Sequence, residues 1–340
     1  MGPGKLLAVT AGLAAAVAFG MAADADAKTL RYVTFKPQAS NDAHSISLQW
    51  FVDEFKKRTD GEHEMEVFWG GSVAGQREVP DALETGVGDI GDIVVPYFQD
   101  QLLLNSVVTF FQPQPNSEVE LGQKLVQWYD QYPQFDEEMK RYNMRIVGWR
   151  PLEDYGLICT KPVRSPEDLK GLRVRSYGHA LPRVFEAFGA TPVSMGTADA
   201  YEALERGILD CSPTGITLAR GWRFEEVAKY YVRFPLGANW GHFIAMNRES
   251  YDALDEKTRA ILDGLGREYV IQYVNTLYDL TDEILEEWKE TGVEVLPFPE
   301  EAVAEAVRSE GVQEARQEWI RRASEAGVPA AELAEFFAFK

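Results

Sequence analysis

Apolar and polar positions along this chain follow two periods in turn, and they predict strands and helices in regular alternation. An apolar run at residues 30–35 predicts a strand, and the apolar residues after it recur at helical spacing up to a break at Asp60-Gly61. Alternation at 65–69 predicts a second strand, and Pro80 fits the first turn of a second helix. A short apolar strand at 90–95 completes a β-α-β-α-β pattern, which favours parallel strands covered by helices.

The same alternation returns in the second half, after a helical stretch around residues 121–128. The predicted strands there lie at 145–149, 155–160, 172–175, 191–195 and 208–211. From residue 251 onward the pattern is helical and acidic, with one long helix predicted at 251–289 and a short strand at 293–296. Shorter helices are predicted at 300–325 and 329–338. The pattern therefore indicates an α/β protein with two similar halves, between which the chain crosses more than once.

The first 27 residues indicate export. Lys5 precedes a long apolar run, and Ala25-x-Ala27 offers the small residues that a signal peptidase accepts. We predict a signal peptide at 1–27, cleaved after about Ala27, and a periplasmic location. The alternative is an N-terminal membrane anchor, because the run is nearly long enough to span a bilayer. A lipoprotein anchor is excluded because no cysteine lies near the cut.

Charge excludes two classes of partner. The chain has 340 residues and a formal net charge of −20; without residues 1–27 it keeps 33 Lys+Arg and 52 Asp+Glu, a net charge of −19. Such a surface does not neutralise phosphates, so nucleic-acid binding is excluded, and docking on anionic membranes is disfavoured. The length and an apolar fraction of 45% are those of a globular protein of about two domains.

Reactive groups do not form a catalytic or metal-binding pattern. The four histidines are scattered, and the chain has no HExxH or GxSxG motif and no phosphate loop within the fold. Cys159 and Cys211 either form a disulfide, as export permits, or remain two buried thiols. They lack the spacing of a zinc site. We therefore predict no metal and no cofactor, and find little evidence for an enzyme.

Two passages carry a family resemblance. The first is SPEDLKGLRVR at 165–175, and the second is GATPVSM at 189–195 continuing to DAYEALERGILD at 199–210. LETGVGD at 83–89 and the strand ending at Asn247 fit the same pattern. Together they resemble the solute-binding proteins of tripartite ATP-independent periplasmic (TRAP) transporters, of the C4-dicarboxylate-binding type.

The resemblance implies a two-lobed periplasmic-binding-protein architecture. Each lobe is expected to hold a mixed, mainly parallel sheet flanked by helices, with a long helix bracing both lobes. The expected division is 28–152 with about 241–280 for lobe I, and about 153–240 with 281–340 for lobe II. The expected function is to close around a small carboxylate and deliver it, without chemistry, to the membrane permease of a TRAP system driven by an ion gradient. A monomer is expected.

Two other functions stay open at this point. An exported α/β enzyme with an unrecognised site would show the same pattern. So would a binding protein that serves an ATP-driven importer or a sensor.

Arg175 is the strongest candidate ligand-binding residue. It lies at the carboxyl end of a predicted parallel strand, where ligands of open α/β sheets bind. A guanidinium group pairs with a carboxylate through two parallel hydrogen bonds, which fix its orientation. The alternative from position alone is a surface arginine in a connection, but the resemblance favours the ligand role.

The remaining candidates follow from their places in the resemblance and in predicted loops. Tyr155 lies where the family often has an aromatic residue, but Gly156 follows it, so a second basic contact is missing there. This departure argues against a sialic-acid-like ligand and disfavours a simple two-ended dicarboxylate. One arginine among several aromatic residues favours a monocarboxylate with an apolar or ring-containing body. The other candidate ligand-binding residues are Tyr177, His179, Thr214, Trp240, Gln76 and Phe35.

Overall fold

The computed structural model describes residues 1–2, 28–39 and 42–338. Almost all of the predicted signal segment lies outside the described residues. Within them no helix has the length and apolar character needed to cross a bilayer. The strands are β1 (Lys28–Val33), β2 (His63–Phe68), β3 (Ile90–Val94), β4 (Met144–Asp154), β5 (Gly156–Cys159), β6 (Arg173–Ser176), β7 (Thr191–Ser194), β8 (Cys211–Thr214), β9 (Tyr230–Arg233), β10 (Ala238–Asn247) and β11 (Glu294–Pro297).

The strands form two sheets, which confirms the expected two-lobed α/β architecture. The first sheet has the order β2-β1-β3-β10-β4; its first three strands are parallel and the other pairings are antiparallel. The second has the order β11-β9-β5-β8-β6-β7, with parallel pairs at both ends. The chain passes from one sheet to the other at Tyr155, between β4 and β5, and returns between β9 and β10.

Helices cover both sheets. They are α1 (Ala43–Arg58), α2 (Val79–Glu84), α3 (Val108–Phe111), α4 (Glu118–Gln131), α5 (Gln134–Lys140), α6 (Ala180–Ala187), α7 (Ala200–Glu205), α8 (Ile216–Gly221), α9 (Arg248–Asp252), α10 (Glu256–Thr291), α11 (Glu300–Val307), α12 (Glu310–Glu325) and α13 (Ala330–Glu335).

Helix α10 braces both lobes, as expected. Near its middle the Tyr269 ring packs edge-on against Phe51 of α1, with 5.5 Å between ring centroids. Near its end the buried Trp288 ring lies 5.3 Å from Tyr231 of the second sheet. The predicted division into lobes remains a prediction. Two C-terminal aromatic residues bear on this division, because Trp319 of α12 and Phe337, which follows α13, pack against Phe111 beside the first sheet.

A glycine sets the distance between α10 and the first sheet. A Cβ atom on Gly266 would overlap the carbonyl oxygen of Val147 in β4, whereas one on Gly264 would meet nothing within 4 Å. We expect Gly266→Ala to lower the free energy of unfolding by about 2 kcal/mol or more, because the helix must move away from the strand. Gly264→Ala is the matched control and should gain up to about 1 kcal/mol from helix propensity. Denaturant unfolding measures both, and equal effects would contradict this packing argument.

Each sheet contains the same feature, an aspartate that follows a helix and a glycine and directly precedes a strand. Asp89 precedes β3 and accepts hydrogen bonds from the backbone and side chain of Arg31 in β1, both at 2.9 Å. Asp210 precedes β8 and does the same for Arg173 in β6, at 2.9 and 3.0 Å. The two sequence passages that end at these aspartates therefore fix strand pairing rather than contact a ligand.

Cys159 and Cys211 form a disulfide. They lie directly opposite each other in the antiparallel pair β5–β8, although 52 residues separate them in sequence. The sequence left this pairing open, because it did not show that β5 and β8 become neighbours.

Several predicted boundaries were wrong. Residues 208–210, which were predicted as part of a strand, form a loop, and β8 begins at the last residue of that prediction. The long helix begins at Glu256 rather than at 251, because Asp255 accepts a hydrogen bond from Thr258 N at 3.0 Å and caps it. The single predicted helix at 300–325 is two helices, α11 and α12.

Candidate functional site

A small cleft lies between the two sheets. Its non-atom space amounts to about 260 Å³ when the open mouth of the cleft is included. The first sheet and its loops contribute one wall, the second sheet contributes the other, and Tyr155 lies at the crossing between them. The lining residues are Val94, Pro96, Tyr97, Leu152, Tyr155, Arg175, Tyr177, Thr197, Asn239, Gly241 and His242.

Loops of the two sheets meet across this cleft. Thr197 N donates a hydrogen bond to the Tyr97 hydroxyl at 3.2 Å, and Asn239 Nδ2 donates to the Tyr177 hydroxyl at 2.6 Å. Nearby, the His179 ring stacks on Phe110 with 4.2 Å between centroids. The cleft is therefore largely closed, and most of its lining side chains are buried.

Arg175 provides the positive charge of the cleft. It lies in β6, next to the carboxyl end of that strand and between two parallel neighbours, as predicted. Its side chain is 2% exposed and donates only to neutral oxygens: Thr197 Oγ1 at 2.7 Å, the Pro213 carbonyl at 3.1 Å, Ser212 Oγ and the Met195 carbonyl. Among the described residues no carboxylate pairs with it. A buried cation without a counter-ion is costly, so an anion that enters the cleft gains a strong partner.

Tyr177 connects this cation to the opposite wall. The Arg175 guanidinium lies 5.0 Å from the centre of the Tyr177 ring, within the range of a cation–π contact. Burial raises the pKa of the Tyr177 phenol above its usual range, so the hydroxyl stays neutral. The side chain therefore offers the cleft an uncharged ring and hydroxyl.

A buried polar cluster lies behind the wall formed by the first sheet. Asp92 in β3 accepts a hydrogen bond from the Tyr32 hydroxyl at 3.0 Å and lies 3.3 Å from His44 Nε2 and 3.6 Å from Arg150 Nη2. Burial raises the pKa of Asp92 to about 7. Arg150 Nη2 also contacts Nδ1 of His242, which lines the cleft.

Three of the predicted site residues line the same cleft, namely Tyr155, Arg175 and Tyr177. Phe35 lies beside it, with its ring 5.8 Å from that of His242.

Thr214 is buried in β8 opposite Gly156 and does not line the cleft. The carbonyl that contacts Arg175 belongs to the preceding residue, Pro213. A Cβ atom on Gly156 would overlap the Val232 carbonyl oxygen, so no larger residue fits at that position.

The other three predicted residues are not among those that line the cleft. His179 lies in the contact between the lobes, half-buried against Phe110. Gln76 faces Gly196, where its Oε1 is 3.1 Å from the place of a Cβ atom. Trp240 lies within β10 rather than in a loop, and its side chain is outside what the structure describes.

Sequence reasoning missed Asn239, His242, Tyr97, Thr197 and Arg150. β10 was recognised only by its end, because the glycines at 237 and 241 interrupt the apolar alternation there. Asp92 in the cluster behind this wall did leave a signal, since it is the one charged residue of the apolar strand β3.

A second cavity adjoins the crossing on the side of α10. Its non-atom space, the open mouth included, amounts to about 870 Å³, and its lining includes Glu118, Asp154 and Glu300 together with Arg233. Acidic groups outnumber the one arginine, and burial raises the pKa of Asp154 to about 6. Although it is larger, this cavity is unsuited to an anion.

Comparison with known proteins identifies the fold and the family. Residues 37–321 match the model of the DctP family, described as bacterial extracellular solute-binding protein family 7. A solute-binding protein of Albidiferax ferrireducens is 25% identical over 233 residues. The aligned region covers 64% of this chain and 64% of the relative, which is less than two thirds of the relative's length.

Solved structures of other proteins have the same fold. A Bordetella pertussis receptor binding pyroglutamic acid has a TM-score of 0.74 and 20% identity, covering 92% of this chain and 99% of that one. A Sulfitobacter TRAP protein with bound galacturonate has a TM-score of 0.74 and 18% identity, covering 91% and 99%. The family match confirms the predicted resemblance to solute-binding proteins, and the solved structures confirm the expected fold. The chain belongs to bacterial extracellular solute-binding protein family 7, the DctP family.

Proposed function

We propose that this protein captures a small organic acid in the cleft between its sheets and delivers it to a TRAP-type membrane permease. Arg175 is the observation that carries the proposal, because its buried guanidinium faces the cleft without a carboxylate partner among the described residues. The ligand's carboxylate would provide the missing counter-charge. The bound galacturonate and pyroglutamic acid of two structural relatives are also carboxylates.

Tyr155 and Tyr177 would enclose the body of the ligand. Both are buried and line the cleft beside Arg175, so they suit an apolar or ring-shaped body. Phe35, Gln76, His179, Thr214 and Trp240 remain proposed contacts of lower rank, since none of them is among the lining residues. A periplasmic location, removal of residues 1–27, a monomeric state and docking on the permease complete the proposal.

Thermal-shift screening against small carboxylates tests it. A carboxylate that stabilises the protein and is recovered unchanged supports a binding protein. Conversion of the ligand would instead support the exported enzyme, and stabilisation by no carboxylate would refute the proposal. Neighbouring genes for one small and one large membrane subunit would favour a TRAP permease over an ATP-driven importer.

A further inference from the structure

The wall that the first sheet contributes carries polar groups of its own, apart from Arg175 of the second sheet, which is the proposed partner of the ligand's carboxylate. Asn239 and His242 both line the cleft from β10, on either side of the irregular pairing between β10 and β4. Asn239 is 1% exposed and His242 is 8% exposed. Buried polar groups are almost always hydrogen-bonded, so any unpaired atom on this wall indicates a missing partner.

Arg150 fixes the protonation state of His242. A guanidinium group only donates hydrogen bonds, so the His242 Nδ1 that contacts Arg150 Nη2 must accept. The ring proton is therefore on Nε2, and His242 is among the residues that line the cleft. Burial and the neighbouring Arg150 hold the pKa of the imidazole well below its usual range, so the ring is neutral. His242 thus brings a neutral N–H donor to the cleft.

Asn239 supplies the complementary acceptor. Its Nδ2 donates to the Tyr177 hydroxyl at 2.6 Å, which orients the amide. Its Oδ1 is buried and has no hydrogen-bond partner in the described part of the chain. A donor and an acceptor therefore both belong to residues that line the cleft from the first sheet.

We propose that His242 and Asn239 recognise a neutral hydroxyl or amide group at the end of the ligand opposite its carboxylate. Only such a group both accepts from His242 Nε2 and donates to Asn239 Oδ1. A second carboxylate only accepts, an ammonium group only donates, and a methyl group does neither. This inference rests on the proposed function and narrows its ligands to hydroxy- or amide-bearing acids.

Five acids with the same four-carbon skeleton separate these possibilities: 4-hydroxybutyrate, succinamate, succinate, 4-aminobutyrate and butyrate. Titration calorimetry should show that the first two bind at least about tenfold more tightly than the others, because a mismatched group leaves a buried partner unsatisfied. Equal binding by all five, or a tightest-binding acid in the wider screen that lacks both groups, would overturn this inference and leave the proposed function intact. If no carboxylate binds at all, both fall.

Substitutions assign the two roles. Glutamine places an amide N–H near the position of Nε2 and asparagine places it near Nδ1, so His242→Gln should retain more of the preference than His242→Asn. Asn239→Asp should shift the preference toward 4-aminobutyrate, because the new carboxylate only accepts and is charged. Circular dichroism and thermal unfolding of each variant separate a lost contact from a lost fold. An unchanged preference in both His242→Asn and Asn239→Asp would refute the assignment.

Arg150 acts here as a positioning residue. Nitrogen-15 NMR of the histidines reports the tautomer directly, and the His242 signals are those missing from His242→Gln. We expect an Nε2–H tautomer in the wild type and a mixture in Arg150→Met. An Nδ1–H tautomer in the wild type would overturn the inference.

Discussion

Replacing Arg175 with alanine should weaken binding of the best carboxylate found in the screen by at least about thirtyfold. Loss of one partner from a buried, hydrogen-bonded charge pair costs about 2–5 kcal/mol. Arg175→Lys should recover only part of the affinity, because a lysine ammonium lacks the planar fork that matches a carboxylate. Titration calorimetry of the three proteins measures the series.

Arg173→Ala is the matched control for this substitution. Arg173 lies two residues away on the same strand, but its side chain pairs with Asp210 outside the cleft lining, at 3.0 Å. We expect its affinity to equal that of the wild type. Thermal unfolding checks that Arg175→Ala still folds, since the arginine also bonds to Thr197 and Pro213. Unchanged affinity in folded Arg175→Ala would remove Arg175 from the site.

Removing the disulfide should destabilise the protein by about 4 kcal/mol. The bond closes a loop of 52 residues, and the chain-entropy model gives about that loss when such a loop is released in the unfolded state. Denaturant unfolding of the double variant Cys159→Ala, Cys211→Ala measures it. Alanine is small and apolar, which suits two positions that are fully buried.

Reductant provides the control. The reduced wild type should approach the stability of the double variant, and the double variant itself should not respond to reductant. A wild type that unfolds at the same denaturant concentration with and without reductant would show that the pairing contributes nothing.

The order of strands and helices was predictable because the spacing of apolar residues within each short segment distinguishes a strand from a helix. The alternation at 65–69 became β2, and the helical spacing after residue 42 became α1. The position of Arg175 in the fold was predictable for a related reason. Its strand could be recognised from the residues of that strand alone, and the carboxyl end of the strand then follows directly from the sequence.

The rest of the site depends on which distant segments become neighbours. Asn239 and His242 face the cleft because β10 enters the first sheet between β3 and β4, and Arg150 reaches His242 only through that pairing. Nothing within residues 238–247 indicates those partners.

The sequence by itself determined the α/β class, the family and the place of Arg175 next to the end of a parallel strand. Each of these rests on short segments whose residues lie close together along the chain. Only the tertiary structure decided that Cys159 joins Cys211, that Arg175 has no counter-ion among the described residues, and that Asn239 and His242 line the same cleft. Those features depend on residues that lie tens of positions apart along the chain. The pairing of strands brings such residues together, and the spacing of apolar residues within one strand does not reveal that pairing.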